Sequence, residues 1–258
     1  MSLIAIQYQL VPEAPVLVAA NRDERFDRAS ATPSIQSGKP RVLCGTDDDS
    51  GGSWLGVNQN GLFVGYTSRR KITPTFISRS RGLLTLDMLR TGSAREAVDL
   101  CMDEVMQGKY NGANFICADS EGGWVVHAGD DVNAVEMKEG LNILANRDLN
   151  DPRDERVAMA KRLLTLQTLD SPVKFLAIAS KVFAKAPSAI GRPSIVLRQQ
   201  DMGTVSSTLI SLGQKPRDAI YQYASGAPDK NKYEDFSPML RDILSRGLRE
   251  AKAKANAS

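Results

Sequence analysis

The chain has 258 residues, 42% of them hydrophobic and 24% charged, which is ordinary for a globular protein with a substantial buried core. Its 33 basic and 30 acidic residues leave a net charge of +3, which argues against the concentrated basic surface that nucleic acids and membrane surfaces require. No apolar run approaches membrane-spanning length, and Cys44, Cys101 and Cys117 lack metal-binding spacing. We therefore expect a cytoplasmic protein with one domain over residues 1–258, without membrane insertion, nucleic-acid partner, metal or cofactor.

Two β-rich segments open the chain at residues 3–10 and 15–20, and a short Pro-containing link between them favours an antiparallel pair. Such a pair brings Ser2 beside the polar residues 21–24. If Met1 is removed, Ser2 carries a hydroxyl and a free α-amino group with a pKa of about 7.7–8.0. That amine is able to serve as base for the hydroxyl of its own residue. Ser2 is therefore either an N-terminal nucleophile or a small residue that follows the start methionine.

The next hundred positions contain one hairpin and two helices. Residues 25–40 are polar without a period, and we expect a loop that covers a site. Farther along, Asn60-Gly61 predicts a tight turn between two apolar runs, the first of which contains Trp54. A helix is predicted at residues 81–90, and a second one begins at Ser93 with a capping box.

Strand patterns then return. Four short β-rich runs with turns between them predict a meander: residues 113–118, 123–128, 132–137 and 141–145. Two helical patterns, a strand pair and an amphipathic helix follow: residues 152–166, 172–185, 203–212, 219–224 and 236–248. Strands and helices come in blocks, whereas parallel βαβ units alternate. We therefore expect an α/β (α+β) protein built as a four-layer α-β-β-α sandwich, with two antiparallel sheets and helices on the outer faces.

Two predicted strands end in the same four residues, Ala-Asn-Arg-Asp, at positions 20–23 and 145–148. Asn21, Arg22 and Asp23 would project into a cleft rim at the first of these ends. Asn146 at the second would donate its amide to a developing oxyanion, a contribution of about 2.7–4 kcal/mol where it has been measured. A polar turn at each end, similar by chance, is the alternative interpretation.

Other polar residues are candidates for the same site. The strand at residues 203–208 is rich in hydroxyls, and alternate ones such as Thr204 and Ser206 would line the site floor unless the strand is an edge that faces water. The sole histidine, His127, is interpreted as a structural residue on a meander strand. A histidine-rich metal centre is excluded, and no nucleophile elbow, P-loop or dinucleotide motif occurs.

Six motifs in order resemble those of the NRDE family, the proteins similar to transport and Golgi organisation protein two. They are Ala-Ala-Asn-Arg-Asp-Glu at 19–24, Gly-Gly-Ser-Trp-Leu-Gly at 51–56, Ser-Arg-Gly at 80–82, Tyr-Asn-Gly-Ala-Asn at 110–114, Asn146 and Gly-Thr-Val-Ser-Ser-Thr at 203–208. Any one of these motifs is weak evidence. Six in the same order are highly specific.

The resemblance implies an N-terminal-nucleophile hydrolase fold, distantly similar to the penicillin V acylases and bile-salt hydrolases. It implies a nucleophile at Ser2, a site aspartate at Asp23 and an oxyanion asparagine at Asn146. The expected function is hydrolysis of an amide bond or acyl transfer. Because family members are linked to haem handling and lipid metabolism, the expected ligand is a small amide, acyl or haem-like molecule.

Three positions depart from the family pattern. Ser2 replaces the usual cysteine and is a poorer nucleophile that depends fully on a base. Ser68 replaces an asparagine, and residues 153–155 replace Trp-Pro-Lys. The first two departures touch the predicted site, so they weaken the expectation of activity more than that of fold.

The alternative function is a non-catalytic carrier or chaperone of haem or of a lipid or acyl-type ligand in the same cleft. Arg22, Arg69 or Arg70 would pair a carboxylate or phosphate of that ligand, and His127 would be the axial ligand of a haem. The predicted binding residues are Asn21, Arg22, Trp54, Ser68, Arg70 and Ser206.

Overall fold

Two antiparallel sheets form the centre of the structure, a computed structural model that describes residues 2–73, 75, 78–188 and 193–256. In chain order the strands are β1 (Ser2–Tyr8), β2 (Val16–Arg25), β3 (Ser30–Gln36), β4 (Val42–Asp47), β5 (Leu55–Asn58), β6 (Phe63–Ser68), β7 (Ala113–Ala118), β8 (Gly123–Ala128), β9 (Val132–Glu136), β10 (Gly140–Leu144), β11 (Met202–Leu212), β12 (Ile220–Ala224) and β13 (Glu234–Asp235). The helices are α1 (Arg81–Leu89), α2 (Ala94–Met106), α3 (Glu155–Leu164), α4 (Pro172–Phe183) and α5 (Ser237–Ala255). Sheet A has the spatial order β10-β1-β2-β11-β12-β13, and sheet B has the order β3-β4-β5-β6-β7-β8-β9.

Three apolar clusters define the layers. The inner cluster lies between the sheets and includes Ile4, Val18, Leu55, Phe63 and Tyr221. A second cluster joins the outer face of sheet A to α3 and α4, and a third joins the outer face of sheet B to α1 and α2. The predicted α-β-β-α sandwich is thereby confirmed.

Helix α5 departs from the expectation that every helix covers an outer face. Its Leu240 and Ile243 are fully buried in the inner cluster, and the helix contacts β12 of sheet A as well as β4 and β5 of sheet B. It therefore closes one side of the sandwich, because its apolar stripe fits the gap between the two sheets. Among the described residues, no helix is long and apolar enough to cross a membrane.

The local turn and cap signals predict structure well. Asn60-Gly61 joins β5 to β6, and Gly61 has φ +82° as the tight turn requires. The Ser93 hydroxyl accepts a bond from the Glu96 amide (3.2 Å), while the Glu96 carboxylate accepts from the Gly92 amide (2.7 Å). The capping box is therefore present, with its second bond one residue earlier than predicted.

Two predictions about the strands are wrong. Residues 25–40 were expected to form a loop, but they contain β3, and the unpredicted β4 follows it. Strand β3 is mostly exposed and lies at the edge of sheet B, so it carries no apolar alternation to reveal it. The four-strand meander also breaks, because β10 crosses to sheet A and pairs with β1. Ile143 and Leu144 of β10 are buried on opposite faces, which requires a strand covered on both sides.

The three cysteines are free and buried. Burial raises the pKa of Cys44 to about 11 and that of Cys117 to about 12, and it also raises the pKa of Cys101. Because the thiolate is the reactive form, all three thiols are poor nucleophiles near neutral pH.

Candidate active site

Ser2 is the first residue of β1, and it lies at the end of sheet A where the two neighbouring strands, β2 and β10, end. In the β1–β2 ladder Ser2 lies opposite Arg22, and in the β1–β10 ladder the last pair is Ile4 with Leu144. Strand β10 ends at Leu144, so Asn146 follows this end of sheet A two residues beyond the last pair. Strand alternation puts Ser2 on the same face as Ile4, which faces sheet B. Ser2 therefore lies beside Arg22 at the mouth of the space between the sheets, at the end of sheet A where Asn146 follows β10.

Arg22 crosses from sheet A to the end of sheet B. Its Nη2 donates to Asp47 Oδ2 (3.2 Å), its Nη1 donates to Ser30 Oγ (2.8 Å), and its guanidinium lies 4.2 Å from the centre of the Trp54 ring. Asp47 also accepts from Arg28 Nε (2.6 Å). Burial works to raise the pKa of Asp47, but these two arginines hold it below its usual range. Arg22 and Trp54 thus form a fixed, charged wall beside Ser2.

Asn21 and Asp23 lie on the opposite face of sheet A, against the α3–α4 layer. Asp23 accepts from Arg156 Nη1 and from Thr204 Oγ1, both at 2.6 Å, and its side chain is fully buried. The Asn21 amide donates to the Phe183 carbonyl (3.0 Å) at the end of α4. These two side chains tie β2 to the helices.

This geometry corrects the expectation that the side chains of Ser2, Asp23 and Asn146 converge on one cleft. Residues 22 and 23 are consecutive on a regular strand, so their side chains point to opposite faces. Asp23 reaches the helices, whereas Asn146 reaches sheet B. The predicted binding residue Asn21 lies on the helix face for the same reason.

Asn146 lies just past the end of β10 and bridges the two sheets. Its Nδ2 donates to the Ser68 carbonyl at the end of β6 (2.6 Å). The backbone on both sides is held by Asn114, whose Nδ2 donates to the carbonyls of Ala145 (3.1 Å) and Arg147 (3.0 Å). The position of Asn146 is therefore set by sheet B.

A buried polar row across β6, β7 and β8 supports that contact. Thr67 lies opposite Asn114, and Asn114 lies opposite His127. His127 Nδ1 lies 2.7 Å from Asn114 Oδ1, and His127 Nε2 accepts from the Leu149 amide (3.3 Å). Burial and the nearby Arg69 guanidinium lower the pKa of His127, against a smaller opposite effect of Asp148. These bonds define a neutral imidazole with its proton on Nδ1.

The geometry fits a structural role for His127. The residue is 2% exposed, and its Nε2 lone pair is taken by the Leu149 amide. Axial ligation of a haem would require breaking that bond and opening the sheet.

The predicted hydroxyl floor is divided by a bulge in β11. Thr204 lies opposite Asp23, but Ser206 lies opposite Arg22, because the register shifts between them. Thr204 and Ser206 are therefore on opposite faces of sheet A. Ser206 is the one that lies beside Arg22, and the Tyr223 phenol is next to it.

Arg70 and Ser68 lie farther along the rim. Arg70 is exposed and lines a polar cleft of about 420 Å³ together with Asp130, His127 and Asp148, and Arg22 and Trp54 are not among its lining residues. The Ser68 hydroxyl accepts from Arg81 Nη1 (3.2 Å). Among the residues that the structure describes, no group of three or more His, Cys, Asp or Glu side chains is placed to hold a metal ion.

Arg81, Tyr66 and Asn114 were missed as site residues. Arg81 and Asn114 occur within quoted motifs, but their spacing in sequence does not reveal that those motifs meet in space. The glycines of these motifs were the only sequence signal of a close backbone approach. In the structure a Cβ at Gly52 would lie 2.4 Å from the Gly82 carbonyl carbon, so two of the glycine motifs are in direct contact.

The family model described as Transport and Golgi organisation 2 matches residues 1–221. A human protein, Transport and Golgi organization protein 2 homolog, is 31% identical over 108 residues, 40% of this chain and 38% of that protein. A mouse protein, Transport and Golgi organization 2 homolog, is 28% identical over 146 residues, 53% of this chain and 52% of that protein. The matched stretches thus span about half of these relatives or less.

Two solved structures share the architecture. A Caenorhabditis elegans N-acylethanolamine-hydrolyzing acid amidase ortholog superposes with a TM-score of 0.56 at 15% identity, covering 81% of this chain and 92% of that one. The penicillin V acylase from Agrobacterium tumefaciens gives a TM-score of 0.54 at 13% identity, covering 87% of this chain and 83% of that one. At such identities the likeness concerns the fold, which is that of the N-terminal-nucleophile hydrolases.

Proposed function

This chain belongs to the Transport and Golgi organisation 2 family and has an N-terminal-nucleophile hydrolase fold, and from that premise we propose how it acts. We propose that Ser2 attacks the amide bond of a small acylated molecule. The observation that carries the proposal is the position of Ser2 at the mouth between the sheets, opposite Arg22 and at the end of sheet A where Asn146 follows β10. The two fold neighbours are an amidase and an acylase, which supports this class of substrate.

The reaction requires removal of Met1, which frees the α-amine of Ser2. The amine takes the hydroxyl proton, and Oγ forms a bond to the amide carbon, whose oxygen becomes an oxyanion. The proton then passes to the amide nitrogen, the C–N bond breaks, and the amine leaves. Water, or a second amine or alcohol, takes the acyl group from Ser2 in the reverse sense. A free α-amine with a pKa of about 7.7–8.0 is suited to both proton transfers.

Asn146 supplies the oxyanion donor in this mechanism. An amide group carries two N–H donors. One of them is donated to the Ser68 carbonyl and fixes the orientation of the side chain, so the other is directed to the substrate. Loss of such a donor slows an acyl-transfer step about 100- to 1,000-fold.

Asp23 acts as a positioning residue rather than a contact of the reacting atoms. Its carboxylate is held by Arg156 and Thr204 on the far face of sheet A. There it fixes the end of β2, against which the first residue of β1 pairs. Arg22, Trp54 and Ser206 form the binding wall on the near face.

The test compares two introduced thiols. Ser2→Cys places a better nucleophile at the site, and Ser120→Cys places an exposed thiol in the β7–β8 turn, away from Ser2. With Met1 removed, as intact mass verifies, we expect the residue 2 thiol to react with acylating probes about tenfold faster than the residue 120 thiol at neutral pH. The three native thiols are buried with raised pKa values, so they react more slowly than either.

Four further outcomes complete the test. Asn146→Ala in the Ser2→Cys background is expected to slow acylation, and a small amide is expected to be turned over. Equal reaction rates at the two introduced thiols, without turnover of amides or esters, would leave the cleft as a carrier site. Full retention of Met1 in the native protein would remove the base and refute the mechanism.

A further inference from the structure

Arg81, the first residue of α1, differs from Arg22, Arg28 and Arg69, three other arginines around the mouth of the sandwich. Arg22 and Arg28 each contact Asp47, and Arg69 contacts Asp148 (2.7 Å). Within the described part of the chain, Arg81 has no carboxylate within 4 Å. No described carboxylate therefore forms an ion pair with it.

The hydrogen bonds of Arg81 leave one edge of its guanidinium unused. Nη1 donates to Ser68 Oγ (3.2 Å) and to the Gly112 carbonyl (3.0 Å), and both acceptors are neutral. Among the described residues, Nε and Nη2 have no hydrogen-bond partner. The Nε–H and Nη2–H pair is one of the two edges with which arginine grips a carboxylate through parallel bonds.

The backbone around Arg81 is fixed by the close approach of glycines. The Ser53 amide donates to the Gly82 carbonyl (3.0 Å), and Gly52 is so close to Gly82 that no side chain fits between them. The guanidinium also lies 5.4 Å from the centre of the Tyr66 ring. Arg81 is thus held in one orientation before any ligand arrives, which lowers the entropy cost of binding.

Ser68 connects this arginine to the proposed reaction centre. The Ser68 hydroxyl accepts from Arg81, and the Ser68 carbonyl accepts from Asn146. Ser68 thus contacts both side chains, so a ligand whose carbonyl oxygen meets Asn146 has Arg81 on the other side of this one residue.

We propose that Arg81 binds a carboxylate of the substrate, so that the preferred amides are anionic. The inference rests on the proposed function and deepens it by naming the substrate class. The carboxylate is on the amine part of the amide or on its acyl part, and the chemistry of recognition is the same in both cases. Through two parallel hydrogen bonds to the carboxylate, Arg81 would select anionic amides over neutral ones.

The experiment measures binding in the Ser2→Ala protein, where no turnover can occur. Two pairs of probes differ only in charge. N-Hexanoylglycine and N-hexanoylglycinamide test the amine part, whereas N-butylglutaramic acid and its primary amide, N-butylglutaramide, test the acyl part. Calorimetric titration is expected to show that one acid binds about tenfold more tightly than its neutral partner.

Variants of two arginines identify the residue responsible. Adding Arg81→Gln is expected to bring the ratio of affinities near one, whereas adding Arg95→Gln, at an exposed arginine of α2 that pairs with Asp99, is expected to leave it unchanged. If Arg81→Gln does not fold, Arg81→Lys replaces it in the test. A lysine ammonium keeps the positive charge but cannot form the two parallel hydrogen bonds of a guanidinium. Arg81→Lys is expected to lose most of the preference.

Several results would overturn the proposal. They are affinity ratios near one in both probe pairs, a preference that survives Arg81→Gln or is complete in Arg81→Lys, and no saturable binding of any probe up to about 10 mM. Because binding is read without Ser2, a failure of catalysis alone leaves the charge preference intact. Conversely, if the native protein turns over neutral amides without any charge preference, the role proposed for Arg81 is refuted and the proposed function stands.

Discussion

The sequence Ala-Asn-Arg-Asp occurs twice, and the two copies have different structures. At residues 20–23 it lies within β2, which is paired on both sides, by β1 and β11. At residues 145–148 it follows the end of β10, which is an edge strand. Asn21, Arg22 and Asp23 are 1–5% exposed, whereas Arg147 and Asp148 are exposed. Identical residues are thus buried or solvated according to the neighbours of their strand.

The difference extends to what each asparagine does. Asn21 is directed to the helices and donates to the end of α4. Asn146 has left the ladder, so its amide turns to sheet B and reaches Ser68. The first copy therefore ties β2 to the helices, and the second links the end of β10 to β6 of sheet B.

The largest expected effect separates the two aspartates. Asp23→Ala leaves Arg156, whose side chain is 15% exposed, without its carboxylate. Loss of one partner of a buried pair costs about 3–5 kcal/mol in the free energy of unfolding. Asp148→Ala removes an ion pair whose aspartate is 55% exposed, so we expect a cost within about 1 kcal/mol.

Urea denaturation of the two aspartate variants and the native protein measures both costs. Equal losses in the free energy of unfolding would mean that the two copies of the motif stabilise the fold equally, which contradicts the comparison. An Asp23→Asn variant keeps the shape of the side chain and separates the loss of charge from the loss of packing.

The second effect concerns the row that holds the second copy in place. Asn114→Ala removes the donor to the carbonyls of Ala145 and Arg147 and leaves buried polar groups unpaired, at about 1–3 kcal/mol for each such group. The matched control is Asn111→Ala, because Asn111 is exposed and donates to Ser78 (3.2 Å).

Hydrogen exchange then distinguishes local loss from global loss. In Asn114→Ala we expect the amides of residues 145–149 to exchange faster, while those of residues 20–23 keep their protection relative to the remaining global stability. Equal acceleration in both copies would show that the row stabilises the whole sandwich and does not position Asn146.

Sequence patterns were sufficient to predict the layers of the sandwich and the tight turn that contains Asn-Gly. Block order predicted the two antiparallel sheets, and Asn60-Gly61 predicted the hairpin, because each signal is local. The assignment of β10 to sheet A was not predictable in that way, since it depends on burial of Ile143 and Leu144 by distant elements. The same limit applies to β3, whose exposed edge lacks an apolar period.

The sequence was sufficient to predict which residues lie near Ser2, but not which face of sheet A each of their side chains occupies. Register follows from the strands, so Ser2 was correctly expected near residues 21–24. Facing is decided by alternation and by the bulge in β11, and no residue type marks that bulge in the sequence. Arg81 was missed because its partners come from two other segments, β6 and the start of β7.

The smallest expected effect is a pH dependence that involves the second copy alone. His127 is neutral in the folded protein, and burial with Arg69 lowers its pKa below the ordinary value of about 6.5. The unfolded chain then binds more protons than the folded one as the pH falls below about 6.5, so stability is complete above that pH and decreases below it. Asp148 opposes the shift, which keeps the effect smaller than that of Asn114→Ala.

Denaturation between pH 5 and pH 8 measures this dependence in the native protein and in His127→Gln, which does not titrate there. We expect the native protein to lose more stability than His127→Gln on acidification, and hydrogen exchange of residues 145–149 to increase first. If His127→Gln has the same pH dependence as the native protein, His127 does not titrate between the two states. The neutral imidazole would then not be what holds the segment around Asn146.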